Sequence, residues 1–301
     1  MSLSPDSRAT YTTLHDPERL RLAIPNKGRL QPPTLQLLHD AGLRFEDGTR
    51  ALTSRVDGFP LDILFVRTDD IVEFVADGVA DLGITGTNLL VESGVELEVL
   101  VELGYGYCRL EAAVPHASAI GSFADLAGRR LATSHPRSTA TSFAKLGVEV
   151  DIVTISGAVE VAPSMGLADG IVDLVSSGST LIMNGLRSLG PLFASQAILV
   201  GQRAPASATA ALAAELRTMI EAVIAGRGVK YLMMNAPHEA LPAIEAILPG
   251  LESPSVLPLA HEGMVAVHAV VSAGDVHRIL VPLREAGATG ILVVPVEKLL
   301  P

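Results

Sequence analysis

Residues 76–86, ADGVADLGITG, and residues 168–178, ADGIVDLVSSG, share Ala, Asp, Gly, Asp, Leu and the closing Gly, and each sets a Ser or Thr just before that glycine. Two readings are open. In the first, Asp-Gly ends a helix and Asp-Leu begins a buried strand, twice, by common local grammar. In the second, the chain builds two similar α/β lobes that face each other across a cleft.

The flanking sequence repeats one scheme. LRLAIP (20–25) reads as a strand, NKGRL as a polar loop and QPPTLQLLHDAG as a helix. A strand at 61–66 follows, then Thr68 as N-cap, acidic residues in the first turn and a helix ending at Gly78. From 109 the order recurs as strand RLEAAVP, helix near 122–127, strand RRLATS, helix STATSFAKLG, strand VDIVTIS, helix AVEVAPSMGLADG and strand IVDLVSS. Strands alternating with helices predict an α/β fold with mainly parallel sheets covered on both faces. SQAILVGQRA then returns as a strand, and SATAALAAELRTMIEAVIAGR forms a long amphipathic helix. The remainder orders itself β-α-β-β-α-β, which predicts a ferredoxin-like module. The expected division is a polar tail at 1–18, lobe I at 19–108 with 192–222 returning to it, lobe II at 109–191, and the terminal module at 223–301.

Composition narrows the function. The 301 residues carry 22 basic and 33 acidic side chains, a formal charge of −11, so no global field attracts nucleic acid or an anionic membrane. A polyanionic ligand must be held by local cations, backbone N–H groups or a metal. Cys108 is the only cysteine, which fits a reducing cytoplasm and makes a cysteine-based zinc site improbable. No signal-peptide core and no uninterrupted apolar stretch of membrane-spanning length is found.

The second echo runs on into DLVSSGST, which brings Ser176, Ser177, Gly178, Ser179 and Thr180 to the C-terminal edge of a sheet, where open α/β sheets bind ligands. Gly178 permits a positive-φ turn, so backbone N–H groups and hydroxyls can converge on a phosphate. From spacing alone Asp169 and Asp173 weigh toward structural caps, with ribose hydroxyls or Mg²⁺ as their alternative partners. Lys27, Gly28 and Arg29 lie just beyond one strand end and Arg67 beyond another, where cations meet phosphates or remain solvated. Asp69 and Asp70 read as a helix N-terminal pair. Gly86 and Thr87 would close the cleft from lobe I, and Thr133, Ser134 and His135 offer a further strand end. His261, His268 and His277 have no shared ligand spacing and read as structural or surface residues.

The segment EVAPSMGLADGIVDLVSSGSTL, beginning at Glu160, resembles the signature of the ATP phosphoribosyltransferases of histidine biosynthesis. RLAIPNKGRL, DILFVRTDDI, GVADLGITGTNLL, RRLATSHP, ISGAVEVAP, YLMMNAP, LPGLESPSVLPLA and GATGILVVPVEK resemble the long form of that family, in order, from about residue 20 to the end. The resemblance implies a two-lobed, periplasmic-binding-protein-like (type II) catalytic region and a C-terminal regulatory domain. It implies attack of ATP N1 on C1 of phosphoribosyl diphosphate (PRPP), with pyrophosphate expelled and Mg²⁺ bound mainly through substrate phosphates. The PRPP site would be Asp173 to Thr180 with Asp169 and Glu160, and Lys27, Gly28, Arg29, Arg67, Gly86 and Thr87 would serve ATP or pyrophosphate. It further implies feedback inhibition by L-histidine within 223–301, a homo-oligomer (dimer and hexamer) and no separate regulatory subunit. Two rivals stand beside it. A solute-binding protein shares the lobes and DLGITG but lacks turnover. A purine or orotate phosphoribosyltransferase carries two adjacent acidic residues before its loop, where IVDLVSSGST has one.

Overall fold

Leu20, Leu22, Ala23 and Ile24 are all fully buried, so strand β1 (Leu20–Pro25) is covered on both faces, as a central parallel strand must be. The computed structural model describes residues 16–46, 52–203, 208–248 and 253–300, and all of the expected polar tail before residue 16 lies outside them. β1 pairs in parallel with β3 (Leu61–Val66) on one side and β4 (Leu82–Gly86) on the other. β11 (Ala197–Gly201) runs antiparallel to β4, β5 (Glu98–Glu102) antiparallel to β11, and the short β2 (Thr53–Arg55) adds an edge beside β3. Helix α1 (Gln31–Asp40) follows β1, and α2 (Ile71–Ala76) sets Ile71 and Val75 against Ala23, Ile198 and Val200.

Lobe II repeats this plan in five strands, without a counterpart to the edge strand β2. β7 (Arg130–Thr133) pairs in parallel with β8 (Asp151–Thr154) and β9 (Gly170–Val175), β6 (Cys108–Pro115) runs antiparallel to β9, and β10 (Leu186–Ser195) antiparallel to β6. The orders β3-β1-β4-β11-β5 and β8-β7-β9-β6-β10 are therefore equivalent, and so are their strand directions. The two echo segments lie on β4 and β9, which hold the same place in the two sheets. Local grammar is thus not the whole account of the echo.

The same topology corrects the expectation of mainly parallel sheets. In each lobe the strand next to the echo strand, β11 or β6, enters from the other lobe and runs against its neighbours, and both of its pairings are antiparallel. Lobe II also extends to Ser195, which pairs with Cys108, so the chain returns to lobe I at Gln196 rather than at 192. Thr68 does not cap a helix. Arg67 precedes a 3-10 turn at Thr68–Asp70 and no side chain caps it. The helix expected over AVEVAPSMGLADG reduces to a 3-10 turn at Val159–Val161, because Pro163 lacks an N–H and Gly166 turns at φ +73. Helices α3 (Thr87–Ser93) and α5 (Ser179–Met183) and strands β5 and β10 have no counterpart in the expected order.

A shared hydrogen-bond bracket fixes the structural register of the lobes. Asp81 N–H donates to Arg21 O and its carboxylate accepts from Arg21 N–H at 2.7 Å. Asp169 does the same with Arg130, at 2.8 and 2.9 Å. Asp81 thus corresponds to Asp169, although the sequence echo aligns it with Asp173. At the other end the echo register holds, since Gly86 precedes α3 and Gly178 precedes α5. β4 runs straight into its helix, whereas β9 is one residue longer and is followed by Ser176, Ser177 and Gly178. Lobe II therefore carries a four-residue excess, and that excess is the serine loop.

The terminal module has the expected order: β12 (Val229–Pro237), α7 (Leu241–Ile247), β13 (Ser255–Pro258), β14 (Met264–Ser272), α8 (Val276–Glu285) and β15 (Thr289–Pro295). Its antiparallel sheet, β13-β14-β12-β15, packs Leu232, Met234, Val267 and Val271 against Ile244, Ile279 and Leu283 of its helices. The unit containing it begins at Glu215, inside α6 (Ala210–Arg227), and also takes Leu35–Leu43, whereas the sequence placed the boundary at 223. The tie is specific. Arg227 reaches Asp40 at 2.7 Å and holds its carboxyl below the usual range, while Lys298 donates to Ala41 O at 2.9 Å.

Candidate active site

Val175 ends β9 in the core, and the chain then turns out through Ser176 and Ser177 to Gly178. Gly178 has φ +80, a conformation that favours glycine, and α5 starts directly after it. The hydroxyls of Ser176, Ser177, Ser179 and Thr180 are left exposed, with Ser177 Oγ and Ser179 Oγ 3.0 Å apart. A cavity of about 240 Å³ opens here, lined by Glu160, Asp173, Ser176, Ser177, Gly178 and Thr180 among others. All six were expected at the sugar-phosphate site. Asp169, also expected there, starts the strand instead of ending it, roughly 20 Å of extended chain away. Its carboxylate accepts from the Arg130 amide and lies 3.8 Å from Arg129, so it serves the fold.

Asp173 is half-buried, and burial is the main cause that pushes its carboxyl above the ordinary Asp value. The Leu174 amide and His135 pull it back, and Glu160 adds to the rise. Glu111 lies opposite it on β6, with its own carboxylate held by Arg109 at 2.7 Å and by Ser188. Glu160 is delivered by a strained turn: Ala158, at φ +49, is the one non-glycine residue with positive φ among the described residues. Replacing Ala158 with Gly removes the Cβ clash and is expected to stabilise the protein by about 1 kcal/mol. A denaturant titration checks this, with a higher midpoint at unchanged slope as the expected result.

Lobe I contributes cations. Asn26 N–H bonds to Val66 O at 2.8 Å across the ends of β1 and β3, so Asn26 and Arg67 follow the last paired residues, Pro25 and Val66, and Lys27 comes one residue later at the same sheet edge. Lys27 and Arg67 are exposed, and neither forms an ion pair among the described residues. Arg67 also lines a cavity of about 740 Å³ with Asn26, Leu64 and Phe74. Gly28 makes the turn between Lys27 and Arg29 at φ +84. Arg29 reaches across the lobes, where Nη1 donates to Ser176 Oγ at 2.9 Å and Nη2 to Cys108 Sγ at 2.8 Å. The cationic loop of lobe I is therefore in direct contact with the hydroxyl loop of lobe II.

Gly86 and Thr87 were expected to meet nucleotide, and the structure engages them elsewhere. Thr87 N–H and Oγ1 both donate to Gln196 O, at 2.9 and 3.1 Å, and the next residue, Asn88, exchanges hydrogen bonds with Ser195 Oγ. Gly86 is buried at this same crossing between lobes. The contacts of Cys108, Ser195 and Gln196 have no local sequence signal, since each partner lies 79 to 109 residues away.

Residues 67–223 match the ATP phosphoribosyltransferase family, and residues 226–298 match the HisG C-terminal domain. The chain belongs to the ATP phosphoribosyltransferase family. An ATP phosphoribosyltransferase of Gemmatimonas aurantiaca is 46% identical over 94% of this chain and 100% of its own length. One of Cytophaga hutchinsonii is 44% identical over 93% of this chain and 98% of its own length. A solved chain of the ATP phosphoribosyltransferase HisG:HisZ complex of Thermotoga maritima, 30% identical with a TM-score of 0.55, covers 67% of this chain and 98% of its own length. The matched C-terminal domain identifies the long form, and it coincides with the βαββαβ module.

Proposed function

We infer that this chain transfers the 5-phosphoribosyl group of PRPP to N1 of ATP and releases pyrophosphate, the first step of L-histidine biosynthesis. The observation that carries the site assignment is the contact of Arg29 with Ser176, which joins the cationic edge of lobe I to the hydroxyl loop of lobe II. In this reading Ser176 to Thr180 hold the 5-phosphate through hydroxyls and backbone N–H groups around Gly178. Glu160 and Asp173 face the ribose. Lys27 and Arg67 hold ATP phosphates or the departing pyrophosphate, with Arg29 between the two loops. Gly86 and Thr87 shape the crossing between the lobes.

The attacking N1 carries no proton, so the reaction needs placement and leaving-group stabilisation more than a base. Glu160 and Asp173, two carboxylates in one cavity, suit Mg²⁺ that arrives on substrate phosphates and keeps most of its waters. Held there between Glu160, Asp173 and the substrate phosphates, such a metal would make the diphosphate a better leaving group. Incubation with ATP, PRPP and Mg²⁺ followed by mass detection tests the reading. A phosphoribosyl-ATP adduct is expected, and tight ligand capture without turnover would favour a solute-binding protein instead.

The terminal module supports feedback inhibition by L-histidine without a separate regulatory chain, in a cytoplasmic enzyme, and the same assay run with and without histidine reads it. It also supports a homo-oligomer. Tyr231 and Met233 point away from the module's helices, with Val294 and Leu292 opposite them in register, and Leu292 is 57% and Leu257 52% exposed. An apolar sheet face of this kind is suited to a second copy of the chain. Leu292→Asp is expected to convert the oligomer to a smaller species in light scattering while leaving the fold intact.

A further inference from the structure

Helix α4 (Pro136–Leu146) begins with Pro136, and no side chain at its N-cap position caps it. Its amides of Arg137 and Ser138 donate instead to the two carboxylate oxygens of Glu92, at 3.0 and 2.8 Å. Glu92 belongs to α3, in the other lobe. Its carboxylate meets both the unsatisfied N–H groups and the positive end of the helix dipole.

A second contact supports the first. The Arg137 guanidinium lies against Gly94, so closely that a Cβ built there would stand 1.4 Å from Nη1. Glu92 also lines a cavity of about 360 Å³ whose lobe I wall includes Asp69, Glu73 and Leu89 and whose lobe II wall is Ser134 and His135. His135 directly precedes α4, and it is near enough to Asp173 to help hold that carboxyl down against the rise caused by burial. The capped helix is therefore connected to the PRPP cavity through the end of β7.

We propose that Glu92 is a positioning residue for the transfer: by capping α4 from the opposite lobe, it holds the cation-bearing edge of lobe I at reacting distance from the serine loop of lobe II. A cap within one lobe stabilises that lobe only. A cap donated across the cleft ties its own formation to lobe closure, and is lost whenever the lobes separate.

The proposal rests on the transfer reaction inferred above, and wild-type turnover measured alongside keeps the two apart. Absence of adduct from the wild type would refute the reaction, whereas a normal wild type with unaffected variants would refute the clasp. Glu92→Ala is expected to lower kcat/KM for ATP about tenfold, the factor typical of losing one N-cap. PRPP affinity measured by calorimetry without ATP should change less than twofold, because the groups assigned to its 5-phosphate and ribose, Ser176 to Thr180, Glu160 and Asp173, all belong to lobe II. Glu92→Gln keeps one acceptor oxygen and should recover part of the loss, and it carries the test if the alanine variant fails to fold. Catalysis within twofold of wild type in both variants overturns the proposal. So does a fall in PRPP affinity that matches the fall in kcat/KM, since Glu92 would then support lobe II alone.

Discussion

Ser177→Asp is expected to abolish PRPP binding. Ser177 is exposed in the turn that lines the 240 Å³ cavity, and its hydroxyl bonds only to Ser179 within the same turn. In the proposed PRPP site a carboxylate there would face the 5-phosphate at hydrogen-bond range. At about 4 Å, with an effective dielectric near 20, each pair of unit charges costs about 4 kcal/mol, or roughly a thousandfold in affinity. Thr180→Glu should act in the same way from the far side of Gly178. Ser177→Ala, which removes one hydroxyl without adding charge, should cost about tenfold or less. Calorimetric titration with PRPP separates these cases, and undiminished affinity in the aspartate variant would remove the phosphate from this loop.

Asp173→Asn should move stability and function in opposite directions. Burial raises the folded-state pKa of Asp173, so the folded protein holds this proton more tightly than the unfolded chain does. Below the unfolded value the wild type suffers no penalty. As pH rises through the raised folded pKa, ionisation destabilises the fold, and the asparagine variant escapes this. Melting temperatures of the two proteins should therefore coincide in acid and diverge toward neutral pH, with the variant higher. PRPP affinity should fall about tenfold or more, the worth of a charge-assisted hydrogen bond to a ribose hydroxyl. A variant that melts higher and binds PRPP as well as the wild type would reduce Asp173 to a shaper of the loop.

The strands that form each sheet's centre were legible because burial on both faces leaves a mainly apolar run, interrupted by Arg21 within Leu20 to Ile24 and by Asp173 within Ile171 to Val175. Edge elements were not. β10 is buried only at its two ends, mixes half-buried and exposed residues around Gly190 and Pro191 and breaks its register twice, so no period of two survives in LRSLGPLFAS. α5 has only five residues, too few to show helical spacing. The serine loop and Glu160 could be read because the signature is local. Asp169 was misplaced for the same reason: its distance along the chain from Asp173 is short, but a strand converts four residues into length. Glu92 and Cys108 gave no signal at all, because what matters about them is a partner dozens of residues away.

The four-residue excess after β9 has a consequence for handedness of use. Two lobes of one topology would form a container nearly indifferent to which way round its cargo lies. Lengthening one strand exit and leaving the other flush gives one wall a pocket of hydroxyls and the other an edge of cations. A bisubstrate reaction needs that inequality, since sugar and nucleotide must arrive with C1 and N1 pointing at each other. Here polarity is written as chain length at one junction.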